Sequence, residues 1–449
     1  MASITEEYIP PSKGSFLSLL IALIVLSCAA IFIKLSEREI GPVATVFNRL
    51  WIAAIVMIKI LDSTLREGEQ TPGVYFSPEK KLVIARLLDE IGVDVIEVGN
   101  PAVDNEIALA IEQIVKEGLK AKIGAHSLCK IDAVKKALDC GVDFLGVFFS
   151  VSQKRLEQDY NICLSAAIEK IVEVIEYAKT QKPDLLIRYT PEDTVRSSVE
   201  NVVQAATAAI KAGADIVSIA DTTGYTTPFD PNRSIYVQVK ILKEELANRG
   251  LYPQIEVHCH NDKGLALTNA LDAYRAGVDI IDTAVMGLGE RAGIVDLAEL
   301  LVNLVDMGEA KKWQLHFLRD LYDFVSKYAR IVIPPNRPIT GKNAFTHYAG
   351  VHVKAVVKDE SLYQSLDPQT LGMKSSIALG MQSGSTAVEE ALIHIGRQDL
   401  AQNKDLVSKI LQAVKEIAKR GRPIDIQEDL PSIIDRCQIQ GSENLLDTP

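Results

Sequence analysis

The chain has 449 residues, of which 47% are hydrophobic and 24% are charged. This composition is typical of a globular protein, and the length allows a large barrel with one or two smaller pieces. The formal net charge of -11 argues against a nucleic-acid binder, because such a protein needs a basic patch. The six cysteines show no CxxC spacing, so neither a disulfide framework nor a zinc knuckle is suggested, and we expect a cytoplasmic protein.

The first apolar stretch covers residues 16–33 and contains no charged side chain over a length that just suffices for a membrane-spanning helix. Glu6 and Glu7 precede it and no clear small-residue cleavage site follows it, so a signal peptide is a poor interpretation. We therefore predict an apolar N-terminal helix. If this segment is retained, residues 16–58 are the part of the chain that could contact a membrane.

A second apolar run occupies residues 50–58, directly after Arg49. Residues 16 to about 56 resemble the first helix and the start of the second helix of drug/metabolite transporters of the EamA type. Because a complete transporter needs many more helices, residues 1–56 are predicted to be a fragment that arose by gene fusion or by a misassigned start. A functional membrane anchor is the alternative. Met57 stands where a soluble enzyme could begin.

From Met57 onward, short β-branched runs alternate with segments that carry apolar residues at helical spacing, such as 78–91 and 199–211. Eight candidate strands are found at 58–61, 93–98, 121–124, 144–149, 185–189, 216–219, 255–257 and 280–284. This alternation predicts an α/β fold, a TIM (β/α)8 barrel over residues 57–333. A doubly wound open sheet is disfavoured because no GxGxxG motif follows the first strand.

The first predicted strand is followed by the sequence LDSTLREGEQTPG at residues 61–73. Its charged residues begin where the apolar run stops, and a packed core does not need them. A metal-assisted site at the mouth of a parallel barrel does need a carboxylate ligand and a cation side by side. The alternative is a charged loop that caps the next helix.

Polar side chains also stand at the ends of the later strands, where barrel enzymes build their active sites. These residues are His126, Arg188, Thr190, Glu192, Asp221, Thr222, His258 and His260. His258 and His260 lie two positions apart on one strand, so both imidazoles point to the same side and can bind one ion. With a carboxylate from the first strand end, they form a two-histidine, one-carboxylate set that leaves coordination positions open.

Four motifs occur in a fixed order: TLREGEQTPG, HCHND, GLGERAG at 287–293 and FTHYAGVHVKA at 345–355. Together they resemble the homocitrate synthase and 2-isopropylmalate synthase family, whose members are acyl-CoA-dependent Claisen condensing enzymes on TIM barrels. The resemblance runs from about residue 58 to about residue 384. It implies an acyltransferase that uses acetyl-CoA, a 2-oxo acid and a divalent metal (Mg, Mn or Zn).

The resemblance also implies roles for individual residues. The implied metal ligands are Glu67, His258 and His260, the implied catalytic residues are Arg66, Glu192, His352 and Tyr363, and Gln70 and Thr222 are implied in substrate binding. Arg66 would stand beside the 2-oxo group, whereas the other three catalytic residues would serve proton transfer at acetyl-CoA. Asp62 remains an alternative carboxylate ligand at the first strand end.

The identity of the 2-oxo acid depends on strands four and five. Arg188 is expected to face the mouth and, with His126 and Thr190, to grip a second carboxylate, which favours 2-oxoglutarate and hence homocitrate. Phe148 and Phe149 add aromatic bulk at the fourth strand end. A hydrophobic 2-oxo acid, giving a 2-isopropylmalate-type or 2-benzylmalate-type product, therefore stays open.

Beyond the barrel, the proline-rich sequence at residues 334–338 predicts a domain boundary. We expect residues 334–449 to form a small α+β lid region followed by C-terminal helices, and we expect a homodimer to bring the lid to the neighbouring barrel. No nucleic acid is expected as a partner. A membrane-tethered scaffold with an inactive barrel is the alternative of another class.

Overall fold

The computed structural model describes residues 57–311, 313–421, 424 and 426–439. The predicted N-terminal helix and the transporter-like fragment at residues 1–56 lie outside the described residues. Within the described part, no helix is both long enough and apolar enough to cross a membrane. The chain divides into two compact units, and the described residues of the smaller one, 57–58 and 308–311, have no regular secondary structure. All elements below belong to the larger unit.

Eight parallel strands close into a barrel in sequence order. They are β1 (Lys59–Asp62), β2 (Val95–Gly99), β3 (Lys122–Leu128), β4 (Phe144–Phe148), β5 (Leu186–Thr190), β6 (Ile216–Asp221), β7 (Gln254–Cys259) and β8 (Ile280–Thr283). The ring closes because β1 pairs with both neighbours: Leu61 lies opposite Val95 of β2 and opposite Asp282 of β8. The predicted TIM barrel is confirmed.

A helix follows each strand on the outside of the barrel. These helices are α1 (Pro78–Ile91), α2 (Asn105–Glu117), α3 (Ile131–Asp139), α4 (Leu164–Gln181), α5 (Val199–Ala212), α6 (Ile235–Ala247), α7 (Ala266–Ala276) and α8 (Leu297–Asp306). Helix α1 illustrates the local rules: Pro78 occupies its first turn, where no backbone N–H is needed, and Gly92 ends it in the left-handed conformation. Its buried residues Ile84, Leu88 and Ile91 recur at helical spacing.

The barrel interior changes from apolar to charged along the strands. Leu61, Val95, Phe144, Ile216 and Ile280 form a buried apolar cluster, and most of them are the first residues of their strands. Further along the same face of β6 and β8, Ser218 and Asp282 are polar and line a cavity, because side chains on one face of a strand recur every second position. The apolar layer closes the amino end of the barrel, and the chemistry lies at the carboxyl end.

The described part of the C-terminal region contains six α-helices and a small parallel sheet. They are α9 (Leu318–Ala329), α10 (Gly350–Val356), α11 (Ser385–His394), α12 (Gln398–Ala401), α13 (Lys404–Lys419) and α14 (Asp429–Ile439), with β9 (Thr346–His347) pairing β10 (Ser376–Ile377). Helices α11, α13 and α14 share an apolar core that includes Val388, Ile410 and Ile433. The predicted C-terminal helices are confirmed.

A buried salt bridge connects the residues after α9 to the barrel. Arg337 donates from Nη2 to Asp296 Oδ2 at 2.8 Å, and the Tyr322 hydroxyl donates to Asp296 Oδ1 at 2.8 Å. Asp296 also caps α8 by accepting the N–H of Glu299 at 2.9 Å. One carboxylate therefore holds the start of α8, helix α9 and the proline-rich segment together.

The loop after β8 folds back on itself at Gly293. This residue has a φ of 79°, in the left-handed region, and a Cβ there would overlap the carbonyl oxygen of Gly287. The same carbonyl accepts the N–H of Ile294 at 3.2 Å, so it is fixed in place. Only glycine satisfies both the backbone conformation and the lack of space.

Replacing Gly293 by alanine should therefore cost more stability than the left-handed backbone conformation alone would cost. Gly118 provides a matched control, because its φ is 72° and no atom lies within 4 Å of the position of a Cβ. We expect Gly118→Ala to lower the free energy of unfolding by about 1 to 2 kcal/mol and Gly293→Ala to lower it by at least about 3 kcal/mol, measured by chemical denaturation. Equal losses would contradict the close packing of this loop.

Candidate active site

A cavity of about 530 Å³ opens at the carboxyl ends of the barrel strands. Ten of the sequence-predicted site residues line it: Arg66, Glu67, Gln70, His126, Arg188, Thr190, Glu192, Thr222, His258 and His260. They come from five different strand ends or the loops that follow them, so the barrel brings together residues that are far apart in sequence.

Three of these residues form a cluster that could hold a metal ion. Glu67 follows β1, His258 lies in β7 and His260 follows it, and one ligand atom of each lies within 4.8 Å of the others. The Nε2 atoms of the two imidazoles are 3.1 Å apart, and His260 Nε2 is 4.0 Å from Glu67 Oε1. Two imidazole nitrogens and a carboxylate that leave other positions open are a donor set suited to a catalytic divalent cation.

The neighbours of the cluster orient its ligand atoms. Asp282 of β8 accepts a hydrogen bond from His258 Nδ1 at 2.6 Å. The other ring nitrogen of His258, Nε2, then faces His260. Ser63 donates its hydroxyl proton to the other oxygen of Asp282 at 2.7 Å. Glu67 accepts the backbone N–H of Glu290 at 3.1 Å. The carboxylate and the first imidazole are therefore held in place by the protein itself.

Two of the three cluster residues have protonation states that suit a cation. Burial, together with the neighbouring His258, lowers the pKa of His260 to about 4. Burial opposes the charged form of Glu67, but the adjacent Arg66 outweighs it and lowers the pKa of that carboxyl. Burial likewise opposes the charged form of His258, and its hydrogen bond to Asp282 nevertheless raises its pKa. At neutral pH, His260 and Glu67 are thus unprotonated and can offer lone pairs to a metal ion.

Asp62, the alternative carboxylate, has other partners. Its Oδ1 accepts the N–H of Thr64 at 3.0 Å, and its Oδ2 accepts the hydroxyl proton of Thr283 at 3.3 Å. It is absent from the one cluster of possible metal ligands in the described residues. Complete burial raises its pKa to about 7. The geometry therefore favours Glu67 over Asp62 as the carboxylate beside the two histidines.

Arg66 and Arg188 are joined by a carboxylate that sequence analysis did not single out. Glu97 of β2 accepts Arg66 Nε at 2.6 Å and Arg188 Nη2 at 2.7 Å, and Arg66 also pairs with Glu67. Burial would raise the pKa of Glu97, but the two guanidinium groups hold it well below its usual range. Glu97 is therefore ionised and spaces the two arginines in the cavity.

The sequence suggested that Arg188 stands free at the mouth of the barrel. The structure shows instead that its guanidinium is already paired. Its side chain is 2% exposed, and besides Glu97 it donates from Nη1 to Glu256 Oε1 at 2.8 Å. Burial raises the pKa of Glu256. Gly146 of β4 makes room for this arrangement, because a Cβ there would lie 2.5 Å from Arg188 Nη2. The guanidinium is held between two acids, although it still lines the cavity.

The wall beside Arg188 is partly aromatic. His126 stacks on Phe148 with ring centroids 4.6 Å apart, and its Nδ1 lies 3.2 Å from Arg188 Nη2. Phe149, which we expected to add bulk to the site, instead stacks on Tyr160 and is not among the cavity-lining residues. This correction follows from the strand pleat, which turns consecutive residues to opposite faces.

Two threonines differ in how they are bonded. The hydroxyl of Thr190 is buried and has no hydrogen-bond partner within the described residues. Thr222 accepts the N–H of Asp193 through its hydroxyl at 2.9 Å. Both line the cavity, and Thr190 retains its full capacity to bond a ligand.

His352 and Tyr363 lie elsewhere. They belong to the C-terminal region, where their rings stack at 4.2 Å, and neither is among the residues that line the cavity. Tyr363 is 46% exposed. A single chain, as far as it is described, does not bring these two residues to Glu192.

Comparison with known proteins defines the family. The HMGL-like family matches residues 57–325, and the family of homocitrate synthase post-HMGL domains matches residues 339–422. The chain belongs to the HMGL-like family. The homocitrate synthase of Pyrococcus abyssi is 42% identical over 79% of this chain and 94% of its own length. The predicted resemblance is thereby confirmed for the enzyme part of the chain.

Other members of the family are similar as well. The mitochondrial homocitrate synthase of Saccharomyces cerevisiae is 34% identical over 88% of this chain and 87% of its own length. A 2-isopropylmalate synthase of Methanocaldococcus jannaschii is 34% identical over 84% of this chain and 71% of its own. A crystal structure of the Bacillus subtilis HMG-CoA lyase, 21% identical, superposes with a TM-score of 0.53 over 62% of this chain and 96% of that one, which supports the barrel fold.

Three acids inside the strands of this HMGL-like chain were not predicted to belong to the site. Glu97, Glu256 and Asp282 are completely buried, and each interrupts an apolar strand: VIEVG, QIEVHC and IIDT. A buried ionised carboxylate needs a partner, so an acid within an apolar strand signals a charged neighbour inside the barrel. That signal was available in the sequence, but it does not say which cation is the partner.

Asp62 gives the barrel a stability that depends on pH. Its pKa rises from 3.8 to about 7 on burial, so between about pH 4 and pH 7 the folded protein holds a proton that the unfolded chain loses. Stability should therefore fall as the pH rises through this window.

Asp62→Asn removes the ionisation without changing the shape of the side chain. From pH 5 to pH 8 we expect the variant to gain stability relative to the wild type, on the order of 2 kcal/mol, in urea denaturation. The same change at the exposed Asp184 is the control and should give no such trend. A constant difference between Asp62→Asn and the wild type across this range would show that Asp62 is ionised throughout.

Proposed function

We propose that this chain condenses acetyl-CoA with 2-oxoglutarate to form homocitrate and free CoA. The observation that carries the proposal is one cavity with a possible cation site at one end and a second, buried guanidinium at the other, the two linked through Arg66 and Glu97. A 2-oxo acid with a distal carboxylate is complementary to both ends. The similarity to homocitrate synthases over most of the chain supports the same reaction.

At the first end, Glu67, His258 and His260 would hold a divalent cation, either Mg, Mn or Zn. When bound there, the cation supplies a Lewis acid for the 2-oxo group. Arg66 lines the cavity next to this cluster, and although burial opposes it, Glu97 and Glu67 raise the pKa of its guanidinium. Arg66 therefore stays charged and stabilises the negative charge that develops on the former ketone oxygen.

The remaining cavity residues would bind the carboxylates of the substrate. Thr222 and Gln70 also line the cavity, and we assign them to the carboxylate adjacent to the 2-oxo group. Arg188, His126 and Thr190 would bind the distal carboxylate. The unpaired hydroxyl of Thr190 is a ready donor, and a fixed guanidinium loses little entropy when it binds a carboxylate.

Proton transfer at acetyl-CoA is assigned to Glu192, His352 and Tyr363. One of these groups takes a proton from the methyl group, that carbon bonds to the 2-oxo carbon, and the former ketone oxygen takes up a proton to become a hydroxyl. Water then cleaves the thioester to a carboxylate and free CoA. Glu192 lines the cavity, but the other two lie in the C-terminal region. We therefore propose a homodimer in which one protomer supplies His352 and Tyr363 to the barrel of its partner.

A hydrophobic 2-oxo acid is the second candidate substrate, giving a 2-isopropylmalate-type or 2-benzylmalate-type product. It is favoured by the apolar part of the cavity wall, which Phe148, Val103 and Ile107 form. Relatives named 2-isopropylmalate synthase are consistent with it.

Thiol release from acetyl-CoA should decide between the two substrates. The full chain is incubated with acetyl-CoA, a divalent metal and one 2-oxo acid at a time: 2-oxoglutarate, 2-oxoisovalerate or phenylpyruvate. We expect 2-oxoglutarate to give the highest kcat/KM. A preference for either other acid would replace homocitrate as the product, and no thiol release with any of them would favour the inactive scaffold.

If these three residues bind the metal, removing either histidine should reduce metal binding and activity together. His258→Ala or His260→Ala removes one of three protein ligands, so both the metal content after gel filtration and the condensation rate should fall at least about tenfold. The exposed His394, outside the cluster, is the control, and His394→Ala should retain both. A cluster variant that kept its metal and its activity would exclude this site.

The role proposed for Arg188 predicts that its replacement changes the selectivity between 2-oxo acids more than the activity in general. Because Arg188→Gln leaves Glu256 without a cation and Glu97 with Arg66 alone, some loss of folded protein is expected, and the readout must be a ratio within one sample. The ratio of kcat/KM for 2-oxoglutarate to that for 2-oxoisovalerate should fall by an amount worth on the order of 2 to 5 kcal/mol.

The surface Arg86, which pairs with Glu117, is the matched control for this ratio. Arg86→Gln should leave it unchanged. If Arg188→Gln also left the ratio unchanged, Arg188 would have no contact with the distal carboxylate, and its role would be confined to neutralising Glu97 and Glu256.

A further inference from the structure

An irregular segment lies between β4 and α4, next to the cavity. A short helical turn at Gln153–Arg155 continues into a π-helical turn at Leu156–Tyr160, and Asn161 ends it in the left-handed conformation with a φ of 50°. π-Helical turns are rare and occur frequently at functional sites. The turn is anchored at its start, because Ser152 Oγ accepts the N–H of Arg155 at 3.3 Å.

Arg155 projects from this segment to Glu192. Its Nη2 lies 3.0 Å from Glu192 Oε2 and 3.3 Å from Oε1, so both carboxylate oxygens face one nitrogen. Arg155 also pairs with Asp159 and donates to the Tyr160 hydroxyl at 3.3 Å. Within the described residues, no other basic side chain pairs with Glu192.

The backbone of Glu192 is fixed independently of its side chain. Ser150 Oγ donates to the carbonyl oxygen of Glu192 at 2.9 Å. The next residue, Asp193, adopts the left-handed conformation with a φ of 61°, and its N–H donates to Thr222 Oγ1. This conformation is uncommon for residues other than glycine, although aspartate adopts it more readily than most, and such positions cluster at functional sites. The backbone thus delivers the Glu192 carboxylate to the edge of the cavity, where its remaining freedom is rotation of the side chain.

We propose that Arg155 is the positioning residue for Glu192, holding its carboxylate in the orientation required for proton transfer at acetyl-CoA. The inference rests on the proposed function, since it assigns Arg155 to the chemistry of Glu192. Arg155 is not among the residues that line the cavity, so it acts through Glu192 and does not touch the 2-oxo acid. Without this pair, the Glu192 side chain is free to leave the position from which it serves the methyl group.

The chain offers a matched control in the loop after β5, which carries Glu192. Arg196 makes a bidentate pair with Asp193, at 2.8 Å to each oxygen, and its side chain is 48% exposed, close to the 42% of Arg155. It therefore holds the residue next to Glu192 without contacting the Glu192 carboxylate. A loss of loop stability would affect Arg155 and Arg196 variants alike, whereas a loss of Glu192 positioning affects only the first.

The test compares Arg155→Met, Arg155→Lys, Arg196→Met and Glu192→Gln, together with the double variant of Arg155→Met and Glu192→Gln, in the thiol-release assay with the full chain. Arg155→Met should lower kcat about 10- to 100-fold, with less than about a threefold change in KM for the 2-oxo acid, because a misplaced proton-transfer group affects the reaction step. Arg155→Lys should recover part of kcat, and Arg196→Met should stay near the wild-type value.

Non-additivity provides the decisive comparison. If Arg155 acts only through Glu192, the double variant should be no slower than Glu192→Gln alone. Additive losses, an equal loss in Arg196→Met, or a rise in KM for acetyl-CoA at unchanged kcat would each overturn the inference, the last because Arg155 would then bind acetyl-CoA directly. An inactive wild type would instead refute the proposed function, and the inference would fall with it.

Discussion

The structure of the site depends on one buried carboxylate, Glu97, that is shared by two guanidinium groups. An ionised carboxylate inside a barrel carries a desolvation cost of several kcal/mol, which is offset only when its hydrogen bonds are satisfied. Arg66 and Arg188 supply these bonds from opposite sides, at 2.6 and 2.7 Å. The placement of the two guanidinium groups in the cavity therefore depends on this single acid.

The charges around Glu97 are tolerated because the barrel separates them from its apolar layer. Phe144, Ile216 and Ile280 close the amino end, whereas residues two positions further along β4, β6 and β8 are Gly146, Ser218 and Asp282. Burial of the apolar layer stabilises the fold, and the polar layer above it can then be arranged for binding. Glycine at 146 illustrates the division, since the space it leaves is filled by the Arg188 guanidinium.

The sequence by itself determined the architecture and part of the cavity lining. The βα period gave eight strands, and polar residues at their carboxyl ends identified ten of the residues that line the cavity, because closure of a parallel barrel brings all such ends to one rim. The two-residue spacing of His258 and His260 placed both imidazoles on one side, since the strand pleat repeats every second residue. These inferences use only local periodicity and the direction of the strands.

Only the tertiary structure decided which residues are partners. The contacts of Arg188 with Glu97 and Glu256 span 91 and 68 residues of sequence, and that of Arg155 with Glu192 spans 37. The sequence named Glu67 as the carboxylate and left Asp62 open as an alternative, and the loop after β1 turns Glu67 toward the histidines while Thr64 and Thr283 hold Asp62. Such pairings depend on strand register and loop geometry around the whole ring, which are set when the barrel closes and are not encoded in any one segment.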